Sequence, residues 1–399
     1  MKETPSTSHS IFTRDFFDIA LVNFLVMLNF YSMLVTVGPY AVDTFHASSA
    51  SAGLVAGITV IGSLLARLSS GYLTNKFETK HLLLFGLILM LPVMASYLVT
   101  PSVTVLLIIR FLNGIAIGLI GTVTNTAVIL LFPPDRRSEG ISYFSLSTIL
   151  ATAIGPFFGL LLTQLVSYKI LFLVEIAISI LALIFATMIH GDTIKFKTVH
   201  HEGQKLSIRH FVEPKVFGLA FVVLVVGLTY ASLQSNLALF MKSIGLEQIS
   251  SYFFLFYAAI IFVSRPFTGR IMDSKNENYI AYPSLVLLAI GLFVLSNMHH
   301  AWVMPIAAIL IGAGFGNFQS TTQSAIANFV EPHRLGQANS TYFIFFDIAL
   351  GFGPYLLGII EPFLGYRHLF LAMSGVAVVS IFLYYWAHGK SVTASEKIK

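Results

Sequence analysis

Long apolar runs separated by short polar breaks occupy almost the whole chain. A helix needs roughly 20 apolar residues to cross a hydrocarbon core of about 30 Å. Twelve stretches meet that length, at 17–41, 50–73, 81–99, 103–131, 142–165, 168–189, 216–241, 251–272, 279–298, 301–329, 338–361 and 367–388. The pattern predicts an all-α membrane protein of twelve spans. The shortest breaks fall around Pro101 and His299, whereas the longest polar stretch, His190 to Lys215, separates spans 1–6 from spans 7–12. This organises the chain as a six-helix bundle over 1–189, a linker over 190–215 and a second six-helix bundle over 216–399.

Composition supports the same reading. Of 399 residues 56% are hydrophobic and 10% charged, where a soluble domain carries about 25% charged residues. A disordered chain, a secreted disulfide scaffold and a nucleic-acid binder are excluded. There is no Cys, so neither disulfides nor thiolate metal sites exist. The net charge of +5 does not form a binding patch, because the basic residues are spread over the loops. With both termini in the cytoplasm, only Lys169, Lys242 and Arg367 fall in outward loops, and Arg67, Arg110 and Arg265 lie within spans. Positive charge is retained on the cytoplasmic side of membrane proteins, so an even number of spans with both ends inside a cell membrane is expected. The polar segment Met1–Thr13 lacks the apolar core of a cleaved signal.

The two halves share features at one constant spacing of 198 residues. Arg67, Gly71 and Asn75 recur as Arg265, Gly269 and Asp273; Gly114 and Gly118 recur as Gly312 and Gly316; Pro134 and Arg136 recur as Pro332 and Arg334; Gly155-Pro156 recurs as Gly353-Pro354. Four separate places at one offset imply homologous halves. Parallel repeats of this kind are related by an axis along the membrane normal and hold a substrate between them at mid-depth.

Three segments carry chemistry. The loop after span 2 reads Gly71-YLTNKFETK-His81, with Asn75, Lys76 and Lys80; its counterpart keeps Asp273 and Lys275. Span 4 contains Leu106-LII-Arg110-FL-Asn113-Gly114, and span 5 contains Ala151-TAI-Gly155-Pro156-FF-Gly159. These segments resemble, respectively, the loop signature, the intramembrane arginine motif and the antiporter motif of the major facilitator superfamily, and the resemblance covers nearly the whole chain. It implies a monomeric carrier that works by alternating access. It also implies a latch at Arg67, Gly71, Asn75, Lys76 and Lys80 with its repeat Arg265, Gly269, Asp273 and Lys275. Arg110 would take part in proton or substrate coupling, and Gly155, Pro156 and Gly159 favour export. Asn75 stands where the family usually has Asp, and Ala151 and Leu160 replace two glycines of the antiporter pattern.

Independent of that resemblance, an ionisable residue inside a membrane marks function by default. Asp347 lies in the middle of span 11 and has no equivalent in the first half, where the offset lands on Ile149. Burial favours the protonated form of a carboxyl group, which suits a proton carrier. Glu175, in span 6, is a second proton candidate, placed near the outer end where water would reach it. Arg110 is alternatively a structural partner or a head snorkelling to the outer interface. In the family, spans 1, 4, 7 and 10 line the cavity. The polar residues at depth there are Asn29, Tyr31, Asn113, Asn125, Tyr230, Gln234, Asn236, Asn317, Gln319 and Gln323, either interhelical ties or substrate contacts.

No phosphate-binding loop, catalytic constellation, metal cluster or cofactor motif is present in the sequence. The expectation is a non-enzymatic secondary transporter exchanging protons for a small exported solute, with a proton symporter or uniporter importing a sugar or organic acid as the alternative. A membrane sensor or intramembrane enzyme is the reading from another class, and the paired repeat argues against it.

Overall fold

The computed structural model describes residues 13–132, 137–190, 213–274, 276–330 and 334–390. Spans 1, 2, 5, 7 and 8 are helices longer than their apolar runs, because polar flanks continue the helix toward the headgroup region, while spans 3, 4, 6 and 9 are no longer than theirs. Spans 1–6 are Arg14–Phe45, Ser49–Lys76, Thr79–Ser96, Val103–Leu131, Arg137–Leu165 and Tyr168–Met188. Spans 7–9 are Phe217–Ser243, Ser250–Ser274 and Asn278–Ser296. Local chemistry sets the starts: Thr13, Ser48 and Ser102 each accept a backbone N–H from the first turn that follows. Span 1 stops where His46 takes a left-handed conformation at φ 52°.

Span 10 is not one uniform helix. Val303–Ile311 runs through a π-helical turn, Gly312–Gly316, into Asn317–Phe329. The last apolar stretch, Gln337–Gly389, has 53 residues, which as one helix would be about 80 Å long, far more than a bilayer core. Gly365, at φ 71° and ψ 160°, breaks it inside Leu335–Tyr384 and divides span 11 from span 12. Among the described residues, eleven apolar stretches with this break make twelve crossings, as the hydrophobic pattern predicts.

Spans 1–6 pack among themselves, as do spans 7–12. The two halves meet along two seams, span 2 against span 11 and span 5 against span 8, with span 1 touching span 7 between them. Large apolar side chains such as Phe262, Phe363 and Trp386, exposed by 71%, 86% and 75%, form a perimeter suited to lipid. We call the face where span 1 begins and span 12 ends the terminal face, and the opposite one the far face.

The seams close on the far-face side. A Cβ on Gly57 would fall on the Gly351 carbonyl, one on Gly53 on the Pro354 carbonyl and one on Gly358 on Ser49, so spans 2 and 11 touch backbone to backbone. Ser49 donates to Glu361 at 2.6 Å, and Lys242 pairs with Asp43 at 2.7 Å. Gln164 donates to the Glu247 carbonyl and to Ser250, both at 3.1 Å.

Candidate functional site

Asp347 and Arg67 meet where the span 2–span 11 seam leaves its glycine-tight part. Arg67 Nη1 donates to Asp347 Oδ2 at 2.9 Å, joining the two halves with one ion pair. The arginine side chain is 39% exposed and the carboxylate 7%. The pair is therefore wetted from one side only, and an acid buried this way depends on its partner to stay charged. The sequence set Arg67 in the latch and Asp347 apart as a proton carrier; the structure brings the two together.

Beside the pair lies an aromatic and polar cluster built from both halves. Tyr31 of span 1 packs closely on Gly155 of span 5, and Thr152, one turn before that glycine, bonds back to the Thr148 carbonyl at 2.9 Å. Tyr230 and Tyr257, on spans 7 and 8, lie nearly parallel with ring centroids 6.1 Å apart. Tyr230 stacks on Phe315 of the π turn at 4.3 Å between centroids, and Phe315 lies parallel to Phe346, one residue before the acid, at 6.2 Å. Gln234 donates to the Tyr230 hydroxyl at 2.6 Å, while its own buried Oε1 has no hydrogen-bond partner. Tyr257 and Thr152 escaped the sequence reading, since nothing in their local context marks them.

Arg110 and Glu175 belong to a different place, the interior of the first half. Both are 0% exposed. Arg110 neither snorkels nor forms a salt bridge: Nε and Nη2 donate to the Val55 and Ala56 carbonyls of span 2 at 3.1 and 3.2 Å. Glu175 was expected near water; spans 1 and 6 instead enclose it, and its carboxylate accepts from Ser32 and, at 2.9 Å, from Asn29. Asn29 and Asn113 both turn their amides toward Met94 Sδ, at 3.9 and 3.4 Å, so these two candidates serve the interior of the first half rather than the passage between halves.

The remaining candidates are scattered. Asn125 is exposed and bonds back to the Gly121 carbonyl. Asn236 bonds to Ser235, and Asn317 accepts from Ser264 at 3.0 Å. The Gln319 carbonyl accepts from Tyr342, and Gln323 is exposed. Gly155 and Gly159 let span 5 close onto Tyr31 and Ser32 of span 1, and Pro156 sits between them within the helix. Lys80 donates to the Thr187 and Ile189 carbonyls at 3.2 and 2.6 Å, which caps the end of span 6. Gly71, Asn75 and Lys76 lie in the last turns of span 2, and Gly269 and Asp273 in those of span 8; Lys275 is outside the described residues.

The described helices form two pseudo-symmetric halves that meet along polar and glycine-lined seams, the architecture of a membrane transporter. The Major Facilitator Superfamily model matches residues 19–354 and 280–398, and the chain belongs to that family. It is 26% identical over 390 residues to the uncharacterized MFS-type transporter STM4428 of Salmonella typhimurium, covering 94% of this chain and 98% of that one. It is 21% identical over 422 residues to multidrug resistance protein 3 of Bacillus subtilis, covering 90% and 80%. Among solved structures, a peptide transporter POT superposes with a TM-score of 0.79 at 13% identity, covering 98% and 96%.

Proposed function

We propose that this transporter is a proton-coupled exporter of a small solute, with its terminal face in the cytoplasm, and that the Arg67–Asp347 pair is its coupling device. The observation that carries the reading is that Asp347, the one buried carboxylate on the seam among the described residues, pairs with a guanidinium of the other half. With the far face closed, an ionised Asp347 ties span 11 to span 2 and holds the empty carrier facing the cytoplasm. A proton on Asp347 removes its charge and frees Arg67, so the protonated carrier can exchange between facing states; bound substrate licenses the other crossing. A shift between states requires that each ligand bind them differently, and a proton does so if the ion pair exists in only one. Resemblance to a multidrug resistance protein and the Gly155-Pro156 motif favour export.

The test is proton movement in inverted vesicles energised to an acid interior, read with a pH-quenched dye while lipophilic cations, sugars and organic acids are added. Solute-induced alkalinisation that vanishes in Asp347→Asn supports the reading. Alkalinisation that survives Asp347→Asn moves the proton to another acid, and solute flux indifferent to the proton gradient points to the uniporter.

A further inference from the structure

The internal repeat relates a set of core positions in the first half to a set in the second, and the two sets differ in chemistry as a whole. Asn29, Met94, Tyr97, Arg110, Asn113 and Glu175 correspond, by the 198-residue offset, to Gly227, Leu292, Leu295, Ala308, Ile311 and Met373. Each of the first-half residues is buried, exposed by no more than 1%. The second half folds at these positions around an apolar core, so the architecture itself does not call for hydrogen-bonding groups there. Burying such groups costs free energy unless each finds a partner.

The polar set is arranged in two adjoining layers. In one, Asn29 and Asn113 turn their amides to Met94 Sδ at 3.9 and 3.4 Å, and Asn29 donates to Glu175 Oε2 at 2.9 Å. Tyr97 follows Met94 by one turn at the end of span 3, and Arg110 precedes Asn113 by one turn on span 4, so both are displaced toward the far face. The Tyr97 ring stands 5.2 Å from that of Phe172, which is displaced in the same direction by one turn from Glu175. Asn29 Oδ1, Asn113 Oδ1, Arg110 Nη1 and Tyr97 Oη are buried and have no hydrogen-bond partner. The asparagine oxygens accept, the guanidinium nitrogen donates and the hydroxyl can do either. Buried polar groups in proteins are almost always satisfied, so unpaired atoms gathered in one core call for a common partner.

We propose that the core of the first half is a hydration site, in which ordered water among spans 1, 3, 4 and 6 donates to the Asn29 and Asn113 oxygens and accepts from Arg110 and Tyr97. Water fits because it gives and accepts at one atom, and buried water settles where polar groups converge, with about three hydrogen bonds each. A cation does not fit, since the Arg110 guanidinium belongs to the set, and an apolar ligand would leave all of these atoms unpaired. The water joins Arg110, through Asn113 and Asn29, to Glu175. The two buried ionisable groups of the first half then form one unit within that half, separate from the Arg67–Asp347 pair on the seam.

Met94 reports on the site directly. A short X-ray pulse splits water into hydroxyl radicals where it stands, and a methionine touching bound water is oxidised to the sulfoxide although bulk solvent does not reach it. Met94, Met241 and Met298 are each 0% exposed, so the wild-type protein in nanodiscs carries its own controls, read by mass spectrometry after the pulse. The expected result is Met94 oxidised several times faster than Met241 and Met298, with the excess lost in Asn113→Leu, which puts an apolar side chain in place of an acceptor. Met94 oxidised no faster than the controls would overturn the proposal, as would an excess that persists in Asn113→Leu. An excess that changes when sodium is exchanged for choline means that a cation holds the site, and the proposal fails. Where Asn113→Leu does not fold, the wild-type comparison decides alone. Oxidation needs neither solute nor proton gradient, so this result stands or falls separately from the exporter reading.

Discussion

Asp347 and Arg67 are 280 positions apart and meet at 2.9 Å. Asp347→Asn and Arg67→Gln each remove this tie, and both are expected to abolish solute-driven proton movement while leaving a folded protein by size-exclusion chromatography. The acid itself was legible in the sequence, because it breaks an otherwise regular repeat. Its partner was not, because the repeat relates equivalent positions and says nothing about which spans of opposite halves touch. Glu175 shows the complementary failure: distance from a span end suggested water, but exposure depends on the neighbours, and here Asn29 and Ser32 close over the carboxylate. Glu175→Leu leaves the buried Asn29 amide and Ser32 hydroxyl without their acceptor. The expected cost is about 1–3 kcal/mol, measured as a lowered unfolding temperature in detergent, with proton coupling retained.

At the scale of elements, the spans were readable because helix formation inside a bilayer is dictated by apolar length alone. What stayed hidden was the π turn at Gly312–Gly316, which depends on backbone packing, whereas the break at Gly365 falls in the gap between the predicted stretches 338–361 and 367–388. The glycines of span 2 face two different partners, and their substitutions separate accordingly. At Gly57 an added Cβ meets the other half at Gly351, so Gly57→Ala should force the far face open, seen as new thiol accessibility at Ser49→Cys. At Gly114 the Cβ meets Thr59 within the same half, so Gly114→Ala should lower stability without opening that face.

A second element-level prediction concerns the start of span 9. His388 of span 12 bonds to Glu277 at 2.8 Å, and this bond holds the Glu277 carboxyl below its ordinary range. An acid with a depressed pKa stabilises the fold above its unfolded value, and the contribution is lost as pH falls through the folded one. Thermal stability should therefore drop on acidification below the usual glutamate range, and Glu277→Gln should remove that part of the drop while lowering stability at neutral pH.

For the whole molecule, the halves are clamped at the far face by Gly–Gly contact and by Lys242–Asp43 and Ser49–Glu361, with the Arg67–Asp347 pair at the end of the clamp. The account requires that the charge on one carboxylate decides whether the clamp can open. Val99 and Phe363, exposed by 78% and 86%, lie at the far face on opposite halves, and spin labels on Val99→Cys and Phe363→Cys in nanodiscs report its opening as a distance distribution. The prediction is a short distance at about pH 8, a growing long-distance population at about pH 5 as the carboxylate is neutralised, and the long distance at both pH values in Asp347→Asn. A distribution that ignores pH, or a pH response that is the same in Asp347→Asn, would contradict it.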